Sequence, residues 1–358
     1  MQMTAGAPAG SVNFFDLNVH DLERYLTGLG KERFRAQQLI KWVYGRRIET
    51  VDQMTDLSKS FRAELPQILN FYRPPIVSDL KSADGTRKLL FSVGDGQTVE
   101  SVLIPSVGRL TLCVSSEVGC NLGCKFCFTG KQKLKRRLNA YEIVGQFLGA
   151  SDLLQEGERI TNIVFMGMGE PLDNPDAVFK SIEILCNDWG ANLSRRKITV
   201  STAGIVPMIP KVTESGARLA VSLNGADDET RDKVMPINKK WPIAELLEAC
   251  RQHARATKDK VTFEYVLLKG VTDSIEDARK LYRLTKSVPC KINIIPFNEH
   301  PGSGYHRPDD EQVDLFQAEL MRLGAHVLRR KTMGRDIYAA CGQLTSAFDG
   351  RPERMHIT

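Results

Sequence analysis

Three cysteines crowd into eight residues of this chain, Cys120-Asn-Leu-Gly-Cys124-Lys-Phe-Cys127. Thiolates are soft ligands that suit zinc or iron–sulfur clusters. A structural zinc site closes with a fourth ligand. No histidine or further cysteine follows soon after Cys127, and His20, His253, His300, His306, His326 and His356 are scattered. A four-iron cluster on three thiolates instead leaves one iron open, which is what a centre that binds and cleaves a substrate requires. The spacing favours iron–sulfur, with a zinc knuckle as the alternative.

Such a centre needs a frame. From Gly108 onward, short β-branched or apolar runs alternate with amphipathic runs. The pairs are 109–115 then 140–154, 160–166 then 177–189, 197–202 then 206–214, 218–223 then 243–256, 261–268 then 275–287, and 291–297 then 312–323. These are six strand–helix units, and a seventh short strand falls near 327–330. The alternation predicts an α/β fold with a parallel sheet and helices outside. Six units are too few to close an eight-fold barrel, so an open partial (β/α)6 barrel is preferred. A doubly wound sheet is the alternative, but no glycine-rich dinucleotide fingerprint supports it. In either frame function gathers where the strands end. There the sequence places the cysteine run, Gly167-Met-Gly169-Glu170-Pro171, Ser201-Thr202, Ser222-Leu223-Asn224 and Asn298.

Ahead of the barrel, residues 1–75 read as a small helical accessory domain. Phe34, Leu39, Ile40, Val43 and Tyr44 mark one apolar face. Lys31, Arg33, Arg35, Lys41, Arg46 and Arg47 supply six cations without enough nearby acids, a face suited to phosphates. Pro74-Pro75 ends this section. Residues 76–105 follow as a β-hairpin extension that turns at Gly94-Asp95-Gly96. Residues 106–345 form the barrel, and 346–358 a tail.

The 358 residues are 42% hydrophobic and 26% charged, enough to bury a full core, and the formal charge of +6 permits a nucleic-acid partner without requiring one. No stretch approaches the roughly 18 apolar residues of a membrane span, and the first residues do not resemble a signal peptide. Three of the eight cysteines are clustered, which fits a reducing compartment, and the chain is placed in the cytoplasm. Lys131, Lys133, Lys135, Arg136 and Arg137 put five cations into seven residues just past the cysteines, where an RNA backbone is the favoured partner.

The cysteine run after the first barrel strand resembles the radical S-adenosylmethionine superfamily. That resemblance implies a [4Fe-4S] cluster whose open iron chelates the amino and carboxylate groups of S-adenosyl-L-methionine. Reductive cleavage to a 5′-deoxyadenosyl radical would follow, fed by a low-potential donor such as flavodoxin or ferredoxin. It also implies that Gly169 and Glu170 hold the amino group, that Ser201 and Ser222-Leu223-Asn224 line the pocket, and that Asn298 contacts the adenosine. Further motifs narrow the match: Thr111-Leu-Cys113-Val-Ser-Ser, Phe165-Met-Gly-Met-Gly-Glu170-Pro171, Met235-Pro-Ile-Asn238-Lys, Asp336-Ile-Tyr-Ala-Ala-Cys341-Gly-Gln-Leu344 and Phe34-Arg-Ala-Gln-Gln-Leu39. Together, over nearly the whole chain, they resemble the RlmN family of RNA adenine C2 methyltransferases. Asn224 stands where that family more often has His, and Phe128 and Gly130 stand where Ser or Ala types are expected.

The resemblance implies methylation at C2 of an adenine in 23S rRNA, and of the adenine beside the anticodon in some tRNAs. Cys341 would carry the methyl group as S-methylcysteine, Cys113 would resolve the protein–RNA adduct, and Glu100 would accept the C2 proton. From the residues alone, Cys113 reads as a small core side chain and Glu100 as a surface carboxylate on a strand. Cys186, Cys250 and Cys290 have no such claim; Cys186 and Cys250 lie at helical spacing from apolar neighbours and read as core. The alternatives are a related C8 rRNA adenine methylase and a non-catalytic zinc RNA-binding protein.

Overall fold

The computed structural model describes residues 12–48 and 50–345. The tail 346–358 and the first eleven residues lie outside the described residues.

The N-terminal unit runs β1 (Val12–Asn13), α1 (Val19–Gly28), α2 (Arg35–Ile40), α3 (Lys59–Ile68) and β2 (Leu69–Asn70), with β1 and β2 paired in parallel. Asn18 caps α1 by accepting from Asp21 N at 2.8 Å, and Ser58 caps α3 by accepting from Phe61 N at 3.2 Å. Phe14 and Phe15 precede any periodic pattern yet are buried. Their rings meet Tyr44 and Phe71 at centroid distances of 5.2 to 6.4 Å. Leu39, Ile40, Val43 and Tyr44 are buried as the periodicity predicts, but Phe34 is 49% exposed. It sits at the helix start, before the buried face is established.

A three-stranded antiparallel extension follows: β3 (Ile76–Lys81), β4 (Arg87–Ser92) and β5 (Thr98–Ser106). The sequence reading found the β4–β5 hairpin and missed β3, whose alternation of half-buried and exposed residues contains few strong β-formers. β5 pairs antiparallel with β6 (Arg109–Cys113), so the extension continues the barrel sheet. After β6 come a short ribbon of β7 (Glu117–Val118) and β8 (Arg136–Arg137), then α4 (Ala140–Asp152) and β9 (Asn162–Phe165). The rest runs α5 (Pro175–Leu185), β10 (Ile198–Thr202), α6 (Ile209–Ser215), β11 (Arg218–Ser222), α7 (Asp228–Val234), α8 (Ile243–Thr257), β12 (Val261–Leu267), α9 (Ile275–Thr285), β13 (Cys290–Pro296), α10 (Asp310–Arg322) and β14 (Val327–Arg329).

The main sheet has ten strands in the order β14-β13-β12-β11-β10-β9-β6-β5-β4-β3. From β6 to β14 each pair is parallel and spatial order follows chain order, the arrangement of an open partial barrel. Among the described residues the sheet does not close, because β6 pairs with the extension on one side while β14 ends the other. The N-terminal unit packs on α4 and α5. Tyr141 N donates to Asp16 at 3.0 Å, and a Cβ at Gly145 would come within 2.5 Å of the Pro74 ring. One continuous apolar core therefore runs from Phe14 to the barrel strands.

Candidate active site

The loop after β6 is shaped from both ends. Gln146 on α4 accepts from Ser101 Oγ at 2.6 Å and Ser115 N at 2.8 Å, which fixes where the strand stops. The β7–β8 ribbon clamps the base of the cysteine loop, with Lys135 N donating to Val118 O at 2.9 Å. The far side is held by the C-terminal segment: Phe128 N donates to Gly342 O at 2.8 Å and Thr129 Oγ1 to Leu344 O at 2.7 Å. His300 Nε2 donates to Phe126 O at 3.0 Å, so this scattered histidine serves the loop's backbone.

Cys120, Cys124 and Cys127 open into a cleft of about 970 Å³, mouth included. Gly169, Glu170, Ser201, Ser222, Asn224, Asn298 and Cys341 line it too. Leu223 does not line it; the side chain is fully buried, pointing to the other face from its neighbours Ser222 and Asn224. All three thiols are raised, chiefly by burial and then in part by one another, Cys120 to about 12. Among the described residues no three His, Cys, Asp or Glu side chains converge as ligands of a single ion would. Zinc–sulfur bonds of about 2.3 Å would draw the sulfurs within roughly 4 Å of each other. Three thiolates facing one cleft suit a four-iron cluster that keeps one iron open, whereas a zinc knuckle asks for a fourth ligand.

Glu170 is buried beside the cysteines. Its carboxylate accepts from Leu172 N at 3.1 Å and Ala203 N at 2.8 Å, while burial raises it to about 7. Glu117, missed in the sequence, is fully buried behind it. Its Oε2 accepts from Glu170 N at 2.9 Å, and burial pushes this carboxyl up as well. Gly169 has φ +95°, and a Cβ there would stand 2.5 Å from Glu117 Cβ, so only glycine lets the turn rest on that carboxylate. Asn224 takes a positive φ of 48°, accepts from Val266 N at 2.8 Å and donates toward Met235 Sδ at 3.3 Å. Asn298 Nδ2 donates to Cys341 O at 3.2 Å.

Cys113 and Cys341 line a second, smaller cavity that shares Asn298, Arg330 and Cys341 with the first. Cys113 is buried at the end of β6, and burial, with a contribution from Cys341, raises its thiol to about 12. Arg330 is held by its backbone to Ile294 O at 2.9 Å, and its guanidinium lies 3.8 Å from Glu264. The charged form of Arg330 is favoured by its neighbours Cys341 and Glu264, against the burial that disfavours it.

Glu100 lines neither cavity and is not a surface carboxylate: it is 4% exposed, paired to Lys88 at 3.0 Å, and accepts from Thr345 N at 2.9 Å. Cys250 is buried, while Cys186 and Cys290 are only half-buried.

The cations behave differently from the sequence reading. Four of the six in the N-terminal section have carboxylates: Lys31 with Glu64, Arg33 with Glu23, Arg35 with Glu32, and Arg47 with Asp152. Past the cysteines, Arg136 and Arg137 are spent on Glu142 and Asp173. Lys125, Lys131 and Lys133 have no carboxylate partner among the described residues. Arg231 was also missed; it is fully buried below the cleft.

Residues 114–282 match the model of the radical SAM superfamily, and residues 12–70 match that of the ribosomal RNA large subunit methyltransferase N-terminal domain. The chain is 63% identical to the dual-specificity RNA methyltransferase RlmN of Bdellovibrio bacteriovorus over 347 residues, covering 97% of this chain and 87% of that protein. It is 47% identical to the protein of the same name from Geobacter sulfurreducens, covering 93% and 92%. A crystal structure of a radical SAM methyltransferase from Sphaerobacter thermophilus superposes with a TM-score of 0.89 at 40% identity, covering 94% of this chain and 100% of that one.

Proposed function

The chain belongs to the RlmN family of dual-specificity RNA methyltransferases, and from that premise we propose that it methylates C2 of an adenine in 23S rRNA and, in some tRNAs, the adenine beside the anticodon. The observation that carries the finer reading is the shared wall of the two cavities: Cys341 opens to both, with the cluster cysteines on one side and Cys113 on the other.

Cys120, Cys124 and Cys127 would hold the [4Fe-4S] cluster, with Gly169, Glu170, Ser201, Ser222, Asn224 and Asn298 around the S-adenosyl-L-methionine. Bound there, the pair supplies hydrogen-atom abstraction, the step an unreactive amidine carbon requires. The chain does the rest. Cys341 presents its methylated sulfur at the cleft, anchored by the Asn298 bond to its carbonyl. Once its carbon is joined to C2, Cys113 sulfur attacks Cys341 sulfur. After the adduct has given up one electron, which the centre held by the three cysteines would accept, and its C2 proton, the bond from Cys341 sulfur to that carbon breaks with its electron pair passing to the carbon; the carbon takes up a proton to become the C2 methyl group, and a Cys113–Cys341 disulfide remains. Arg330 favours the Cys113 thiolate that this attack needs, against the burial that disfavours it. Glu100 takes the C2 proton, for which its Thr345 contact has to open. The setting is the cytoplasm, with flavodoxin or ferredoxin as donor; no helix among the described residues is long and apolar enough to cross a membrane.

The test is Cys113→Ala. The expected product is a covalent protein–RNA species that nuclease collapses, absent from Cys113→Ala with Cys341→Ala. Enzyme free of RNA that still turns over would refute the two-cysteine reading.

A further inference from the structure

Arg231 on α7 has no exposed surface and lies behind Ala203 and Ser222, which line the cleft, and every group it bonds is neutral. Nε donates to Leu223 O at 2.8 Å, Nη1 to Asn238 Oδ1 at 2.7 Å, and Nη2 to Ala203 O at 2.6 Å and Ser222 O at 3.3 Å. Among the described residues no carboxylate comes within 4.0 Å of it. Asp228 and Asp232 on the same helix favour its charge from farther off and are linked to it through Asn238, whose Nδ2 donates to them at 2.9 and 2.8 Å. A buried cation without an anion is costly, and proteins rarely keep one. The helix that carries it is tied to the cysteine loop, since Lys125 N donates to Val234 O at 3.0 Å, and Val234 and Met235 pack against Cys124 and Cys127.

We infer that Arg231 is the built-in counter-charge of the cluster, a positioning residue that holds the cleft floor and raises the cluster's reduction potential. Three thiolates on a four-iron cluster leave roughly one negative charge when oxidised and two when reduced, and nearby charge tunes such potentials. A fixed guanidinium therefore stabilises the reduced form more. Burial lowers the guanidinium to about 10. The assignment also explains the Met235-Pro-Ile-Asn238 motif: Asn238 accepts from Arg231 and so spares it a carboxylate that would cancel its charge. The inference rests on the cluster reading of the three cysteines.

The test is a reductive titration of the reconstituted full-length protein followed by electron paramagnetic resonance, after iron and sulfide are counted. Arg231→Gln keeps hydrogen bonding and removes the charge; its midpoint is expected to fall by at least about 59 mV, tenfold in the ratio of reduced to oxidised cluster at a fixed poise. Arg231→Lys keeps the charge and loses the fork, and is expected near the wild-type midpoint. Asn238→Asp leaves Arg231 in place, sets a carboxylate against Nη1 and should shift the midpoint in the Gln direction. Cluster loading should also raise the melting temperature less in Arg231→Gln than in wild type, whereas a mere strap would lower the apo and loaded forms equally. Gln and Asp variants that titrate with wild type, or a Lys variant that falls as far as Gln, would overturn the assignment. A wild-type chain that takes up no iron and sulfide would instead sink the cluster reading, and the assignment with it.

Discussion

Lys88 Nζ stands 3.0 Å from Glu100 Oε1, on neighbouring antiparallel strands, with side chains only 5% and 6% exposed. Removing one partner of a buried pair strands the other's charge. Lys88→Met is expected to destabilise the protein by about 3–5 kcal/mol, and Lys88→Met with Glu100→Leu by clearly less. Urea midpoints at one pH decide it; an equal loss in both would show that the pair is not what the strands depend on.

Cys124→Ala should abolish cluster assembly, because two thiolates cannot hold a four-iron cluster with an open iron. Iron and sulfide should fall to background and 5′-deoxyadenosine should disappear. Continued formation of that product would contradict the ligand set.

Gly169→Ala places a methyl group 2.5 Å from Glu117 Cβ in a backbone conformation with φ +95°. A stability loss of about 1–3 kcal/mol is expected. Equilibrium dialysis should also show S-adenosyl-L-methionine affinity at least roughly tenfold lower. Unchanged binding would mean that the turn is not part of the pocket.

Glu170 rises from 4.5 to about 7 in the folded chain, and Glu117 rises with it, both chiefly through burial. The folded state thus holds protons that the unfolded state releases. The stability from these groups is fully present below pH 4.5 and is lost as pH rises through 7. Glu117→Gln keeps a side-chain oxygen for Glu170 N and cannot ionise. The apo variant should melt above apo wild type at pH 8 by about 2 °C or more, and the gain should vanish near pH 4. A gain equal at both pH values would point away from ionisation.

Lys125 and Lys133 flank the cleft without carboxylate partners among the described residues. Replacing both by Ala should weaken RNA binding and flatten the dependence of log affinity on log salt by about 0.7 for each lost phosphate contact to a single strand. The same change at Arg33 and Arg35, already paired, should move the slope less. Equal slopes in all variants would remove the cysteine-loop lysines from the RNA surface.

Much of the frame was legible because a strand–helix alternation is local: β9 through β14 and their helices repeat a period the sequence displays. The polar ends of those strands followed from the same reading, and they do meet at one cleft. What stayed hidden is set by partners far along the chain. Lys31 finds Glu64 and Arg47 finds Asp152, so a count of nearby acids overstated the free charge of the N-terminal face. Arg231 lies on a helix rich in charge, Asp-Glu-Thr-Arg-Asp-Lys-Val, where nothing in the pattern marks one cation as buried. Glu100 looked exposed because the segment that covers it arrives from Thr345.

That covering segment sets an order in time. It is seated on the extension by Ser82 with Asp336, Asp84 with Gly334, Lys88 with Tyr338 and Glu100 with Thr345, contacts that join residues 245 to 254 positions apart. Synthesis delivers its residues after every barrel strand, and closing so long a loop waits on the rest of the sheet. A growing chain therefore has its three clustered cysteines long before it has Cys341, so the reactive sulfur reaches the cleft only once the walls are built.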